Sequence, residues 1–139
     1  MKIIFTLIFL LFSLIELNSC RATTQQSDQL LEFKQLEKIR EGSKVFIIPG
    51  SGCTGCITDI ENTAIHNLNS DSLYFIFTRL TSFKLFRNRF GNTFIESKNV
   101  LLDTGNIFQY KNNESDIYPV MYKKIKGKII FQKYLKPLN

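Results

Sequence analysis

The chain has 139 residues, 44% of them apolar and 22% charged, and its 18 basic and 12 acidic residues give a formal net charge of +6. That length fits about one domain, and a chain well above the ~70–80 residues below which disulfides or metals are usually needed can bury its own core. A multidomain assembly, a polytopic membrane protein and a disulfide-knotted miniprotein are thereby excluded, and so is a long disordered tail, because Phe, Ile and Leu recur as far as Phe131 and Leu135.

In chain order, residues 1–19 come first: a basic start at Lys2, a near-continuous apolar run from Ile3 to Phe12, and the small residue Ser19 before Cys20. This is the pattern of a secretory signal segment. Leu17-Asn18-Ser19-Cys20 resembles the bacterial lipoprotein processing box, which implies cleavage before Cys20 and its acylation. The other reading is an uncleaved anchor, since the run approaches the ~20 residues that span a bilayer. Either one places the protein in the cell envelope, with its domain outside the cytoplasm and tied to a membrane surface. Without Lys2 and Glu16 the balance is 17 basic to 11 acidic residues, still +6. Residues 20–28 hold Cys20 and a polar, aperiodic stretch that reads as a tether. Residues 29–139 form the domain.

Leu30, Leu31, Phe33, Leu36 and Ile39 recur at helical spacing and predict a first helix that stops at Glu41-Gly42. Residues 44–48, Lys-Val-Phe-Ile-Ile, form a β-branched run closed by Pro49-Gly50 and predict a buried central strand. After Ser51-Gly52-Cys53-Thr54-Gly55-Cys56, the residues Ile57, Ile60, Ala64, Ile65 and Leu68 restore helical spacing. A second buried strand is expected at 73–77, a helix from Phe83 to Phe90, a third strand at 99–103, and a loop or short helix through Ile107, Phe108 and Tyr110. Beyond Tyr118-Pro119, residues 120–125 and 128–131 flank Lys126-Gly127 and predict an antiparallel hairpin. Strands alternating with helices and then a hairpin describe an α/β domain with a mixed sheet.

The informative feature is the setting of the C-x-x-C pair: buried strand, Pro-Gly-Ser-Gly bend, Cys53, two residues, Cys56, amphipathic helix. The first turn of a helix offers unpaired N–H groups and the positive end of the helix dipole. Thiols in such places ionise more readily than the usual ~8.5, and the thiolate is the species that attacks disulfides. Cys53, exposed at the bend, is the expected nucleophile. Cys56, one turn further in, is the expected resolving thiol, and Gly55 leaves the bridge uncrowded.

With these residues in view the chain resembles the thioredoxin-like superfamily, and within it the membrane-tethered bacterial thiol-disulfide oxidoreductases. The resemblance runs from about Lys44 to Leu135 and is carried by residues 45–48, Cys53-Thr-Gly-Cys56, residues 99–103 and Tyr118-Pro119-Val120. It implies a three-layer α/β/α sandwich with a mixed sheet and a C-terminal β-hairpin. It also implies a substrate-binding segment at Tyr118 and Pro119, where the family places a cis-proline opposite the cysteines. The partners it implies are protein disulfides or dithiols, together with a membrane redox partner if the protein is a reductant. The chain departs from the family at three places. Gly52 stands where Trp often precedes the first Cys, residues 45–49 carry no carboxylate to assist the resolving thiol, and the closing helix is reduced to residues 134–139 at most.

Two other functions compete with exchange. One is a non-enzymatic envelope lipoprotein with a structural Cys53–Cys56 bridge. The other is a thiol peroxidase, since Pro49, Cys53 and Cys56 fall on the Pro, Thr and Cys of the peroxiredoxin pattern P-x-x-x-T-x-x-C, although Cys replaces the Thr and no Arg follows Arg89. No cofactor or metal is expected. Cys53, Cys56 and His66 are one ligand short of a structural zinc site, and His66 lies ~20 Å along the helix from Cys53 at 1.5 Å per residue. The basic residues Lys123, Lys124, Lys126, Lys128, Lys133 and Lys136 crowd the C-terminal hairpin, and Arg79, Lys84, Arg87 and Arg89 mark the middle helix. For an exported domain they read as a solvated face or one turned to anionic headgroups, not as a nucleic-acid site.

Overall fold

The computed structural model describes residues 34–108 and 117–137. The leader, Cys20, the tether, the first five residues of the expected first helix and Tyr110 lie outside them. The described elements are α1 (Lys34–Glu37), β1 (Lys44–Pro49), α2 (Thr54–His66), β2 (Leu73–Thr78), α3 (Phe83–Phe90), α4 (Asn92–Ile95), β3 (Val100–Asp103), β4 (Val120–Ile125) and β5 (Lys128–Tyr134). Among the described residues no helix is long and apolar enough to cross a membrane.

The protein is α/β, with one five-stranded mixed sheet in the order β3-β2-β1-β4-β5. β1 pairs parallel with β2, and β2 with β3, while β4 runs antiparallel to both β1 and β5. β1 is central, and every residue after Lys44 is buried, which is why it reads as an unbroken apolar run instead of an alternating one. Pro49 ends the strand, where its missing N–H interrupts no ladder; the pairing with β4 has already stopped at Ile47–Val120.

Because successive strand residues point to opposite faces, the core divides into two clusters. On one side of the sheet Phe46, Ile48, Phe75 and Phe77 meet Ala64, Phe86 and Phe94 from α2, α3 and α4. Phe77 is the hub, with ring centroids 4.9 Å from Phe86, 5.6 Å from Phe94 and 6.1 Å from Phe90. On the other side Val45, Ile47, Ile76, Val120, Tyr122 and Ile129 meet Leu36, Ile39 and Phe108.

Three details differ from the sequence expectations. Gly91, at φ +79°, ends α3 with its amide donating to the Arg87 carbonyl, and a further short helix, α4, follows at once. β5 extends to Tyr134 instead of stopping at Phe131, and the register slips between Met121 and Tyr122 so that Met121 faces Lys133 while Tyr122 faces Phe131. Gln132 is thus the extra residue of a bulge. The segment after β3 is held by Asp103, whose buried carboxylate accepts from Thr78 Oγ1 (2.8 Å) and from the amides of Ile107 (3.0 Å) and Phe108 (2.9 Å). Sequence alone marks Asp103 only as the end of a strand.

Candidate functional site

β1 delivers the chain to the end of the sheet at Pro49, and the next four residues turn it into α2. Two glycines make this turn possible. A Cβ on Gly50 would lie 2.3 Å from the Arg79 carbonyl oxygen, and one on Gly52 would lie 2.3 Å from the Ile117 carbonyl oxygen. Gly52 also sits at φ +140°, a conformation open in practice to glycine alone. The position where the resembled family often carries Trp is therefore filled here by the backbone of Ile117. The Cys53 amide then donates to that same carbonyl at 2.8 Å.

Cys53 is the N-cap of α2: it has extended backbone angles, its carbonyl accepts from Ile57 N at 2.9 Å, and its Sγ accepts from the Cys56 amide at 3.4 Å. The sulfur takes the place that a Ser or Asp oxygen usually fills at a helix start. No acidic residue stands in the first turn to offset the positive end of the helix. Cys53 is half-exposed, whereas Cys56 is only 7% exposed. The two form a disulfide, with Cα atoms 5.4 Å apart. Between them, a Cβ on Gly55 would meet nothing within 4 Å.

The segment carrying Tyr118 and Pro119 does come up beside the cysteines, with Ile117 making the direct contact. Pro119 is buried, its carbonyl accepts from Leu135 N at 2.8 Å, and the next residue, Val120, pairs with Ile47 of β1. The Tyr118–Pro119 peptide bond is trans, as is every peptide bond among the described residues, and differs from the family's cis-proline. The trans form is the intrinsically favoured one by ~0.5–1 kcal/mol. Tyr118 is half-buried, with the Lys136 ammonium 5.6 Å from its ring centroid. Ile117 is 43% exposed and borders Cys53. The sequence signal for Ile117 was an apolar residue directly ahead of Tyr-Pro in an otherwise polar stretch.

A second residue the sequence did not mark is Glu61. It lies on α2, is 5% exposed, and is held by both terminal guanidinium nitrogens of Arg89 at 3.1 and 2.5 Å. Desolvation raises its pKa above the ordinary carboxylate value, and the Arg89 charge and hydrogen bonds oppose that rise. The pair borders a cavity of about 170 Å³ that also touches Pro49, Gly50, Leu80 and Phe86. The domain therefore has a buried carboxylate, on the helix after the cysteines instead of on the strand before them. Arg89 is committed to this pair.

His66 sits in the last turn of α2, at the far end from Cys53, with Nδ1 2.7 Å from the Asn62 carbonyl oxygen. Among the described residues no group of three or more His, Cys, Asp or Glu is placed to hold a metal ion. Comparison with protein-family models, with curated proteins and with solved structures returns no match to this chain.

Proposed function

We propose that the protein is a thioredoxin-like, lipid-anchored thiol-disulfide oxidoreductase of the cell envelope that exchanges disulfides with protein substrates through Cys53 and Cys56. The observation that carries this reading is the Cys53 sulfur at the N-cap of α2, half-exposed and accepting the Cys56 amide, with the less exposed Cys56 one turn behind it. The strand order and directions, and the position of the cysteines after the central parallel strand, support the finer fold: a three-layer α/β/α sandwich closed by a β4–β5 hairpin.

In the reducing direction the Cys53 thiolate attacks one sulfur of a client disulfide. The Cys53–client bond forms as the client's S–S bond breaks, and the second client sulfur leaves as a thiolate that takes a proton. The Cys56 thiolate then attacks Cys53 Sγ, and the client's first sulfur departs. Cys53–Cys56 is left oxidised and the client has gained two electrons. The oxidising direction is the same sequence reversed, starting from the disulfide form described above. Ile117 borders Cys53 through its carbonyl, and with the adjoining Tyr118 would lie along the client backbone.

The burial of Cys56 weighs against the peroxidase alternative, which needs that residue as the thiol open to peroxide. The test is a trap: in Cys56→Ser protein the mixed disulfide between Cys53 and a client has no resolving thiol and accumulates. Adducts that vanish on reduction, and that are missing from the Cys53→Ser protein, are the expected result. No adduct from cell-envelope extract, together with no reduction of insulin by the unaltered protein, would leave the bridge a structural one.

A further inference from the structure

The hairpin lysines divide by what they do in the fold. Lys124 Nζ caps the carbonyls that end the first helix, at 2.7 Å from Ile39 O and 3.1 Å from Glu37 O. Lys136 lies over the rings of Tyr118 and Tyr134. The Lys126-Gly127 turn is held through its amides by the Glu41 carboxylate. Lys44, Lys123, Lys128 and Lys133 play no comparable part, since among the described residues none of the four makes an ion pair or a side-chain hydrogen bond.

The strand register puts these four on one face. Met121, which packs on the cluster under α2–α4, is opposite Lys133; Lys123 is opposite both Lys44 and Ile130; and Ile125 is opposite Lys128. Directly opposed residues share a face, so Lys44, Lys123, Ile125, Lys128, Ile130 and Lys133 form one patch on the outer part of the sheet. Lys44, Lys128, Ile130 and Lys133 are exposed, and Lys123 and Ile125 are half-exposed. Two like charges face each other directly at Lys44–Lys123, an arrangement that weakens a sheet and that a negatively charged partner would relieve.

We infer that this face docks the domain onto an anionic membrane surface. The chemistry favours a lipid surface over other polyanions. Lysine is a point charge without the planar fork that grips individual carboxylates or phosphates, and such charges suit a diffuse sheet of headgroups. Between them stand two aliphatic side chains and no aromatic; Phe131 and Tyr134 lie on the opposite side with Tyr122, so the face lacks the stacking platform that single-stranded nucleic acid uses. None of the six residues lines either of the two main cavities among the described residues, which suits an extended surface better than an acidic peptide seated in a groove. β1 rises ~3.3 Å per residue, so Lys44 and Pro49 are separated by roughly 17 Å. Docking by this face therefore leaves the Cys53 end of the sheet displaced along the strand direction, beside the contact and not under it.

The sequence has no Trp, so Ile130→Trp in the full chain is a single reporter on this face. With the protein on vesicles of phosphatidylcholine mixed with phosphatidylglycerol, its emission should shift to the blue and be quenched by brominated lipid. On phosphatidylcholine alone it should do neither, and salt should reverse the effect. Each Lys→Gln change among the four should lower the ratio of docked to undocked domain about fivefold, from ~1 kcal/mol per lysine near a charged surface. Lys124→Gln in the same reporter is the control for lysines that hold the fold together. Equal emission on both vesicle types, or a shift unaffected by the four substitutions together, overturns the proposal. A shift produced in solution by polyglutamate or a single-stranded oligonucleotide but not by anionic vesicles overturns it in favour of that partner. The inference does not depend on the redox reading, because Cys53→Ser leaves every group of the patch in place.

Discussion

Gly52→Ala tests the geometry that presents Cys53. At φ +140° an alanine would be strained, by about 1–3 kcal/mol for residues forced into such regions. Its methyl carbon would start 2.3 Å from the Ile117 carbonyl oxygen, which is backbone and cannot swing aside as a side chain would. Moving that carbonyl stretches the 2.8 Å bond from the Cys53 amide, at a net ~0.5–1.5 kcal/mol for a hydrogen bond. Together the loss is roughly 2–4 kcal/mol, a large part of the ~5–15 kcal/mol that holds a typical domain folded. The control is Gly55→Ala three residues on, where the new carbon meets nothing within 4 Å and alanine improves helix propensity by up to about 1 kcal/mol. Urea unfolding of both variants with the disulfide intact, followed by far-ultraviolet circular dichroism, measures the difference. A Gly52→Ala protein that unfolds at the same urea concentration as the unaltered one, or a Gly55→Ala protein equally weakened, would refute the account of the turn.

In reduced protein Cys53 should be alkylated by iodoacetamide faster than Cys56 at neutral pH, by peptide mass mapping, because it is the exposed sulfur at the helix start; equal rates would remove the basis for assigning the nucleophile. Reduction of the bridge should lower stability by no more than about 2 kcal/mol, the loop-entropy value for so short a ring, and calorimetry of oxidised and reduced protein measures it. Glu61 has a native pKa raised above its unfolded value, so the native state holds the proton more tightly than the unfolded chain. Its contribution to stability is therefore greatest below the unfolded value of 4.5 and diminishes as pH rises through the native one. In urea titrations Glu61→Gln should remove that part of the pH dependence, whereas Arg89→Gln, which strips the carboxylate of its partner, should steepen it. Asp103→Ala leaves two buried or half-buried amides and the Thr78 hydroxyl without their acceptor, and should cost about 3 kcal/mol or more at ~1–3 kcal/mol for each unsatisfied group.

The strands and the cysteine-bearing helix were legible because each depends on local pattern. The β-branched run before Pro49, the helical spacing from Ile57 to Leu68 and the Lys126-Gly127 turn are set by neighbours within a few residues. Cys53 and Cys56 could be placed at a helix start for the same reason. What escaped were relations across distance in the chain. Glu61 falls on the apolar stripe of α2, four residues after Ile57 and three before Ala64, so its spacing marks it as inward-facing; what local pattern does not supply is Arg89, 28 residues on, which meets it. Asp103 ends a strand in sequence, and only the fold brings Thr78 and the 107–108 amides to its carboxylate. The trans form of Tyr118–Pro119 differs from an expectation that came with the family resemblance and had no local signal of its own.

The residues that present the sulfur are held mostly by main chain. Gly50 packs on the Arg79 carbonyl, Gly52 on Ile117, the Cys53 amide bonds to Ile117 and the Cys56 amide to Cys53 Sγ. Backbone contacts of this kind do not change when side chains do. Thr54 and Gly55, the two residues between the cysteines, are both exposed, and neither takes part in these contacts. Substitutions at 54 and 55 are therefore free to alter the electrostatics around Cys53, and with it the balance between dithiol and disulfide, while the turn keeps its shape. Ile117 is coupled to the turn in the opposite way. Its carbonyl is fixed by Gly52 and Cys53 while its side chain is 43% exposed, so replacing it with a polar residue would change the surface beside Cys53 and leave the hydrogen bond to the Cys53 amide intact. If the site exchanges disulfides as proposed, the same arrangement separates two properties: position comes from the backbone, and reactivity and client choice would come from side chains that the fold does not use.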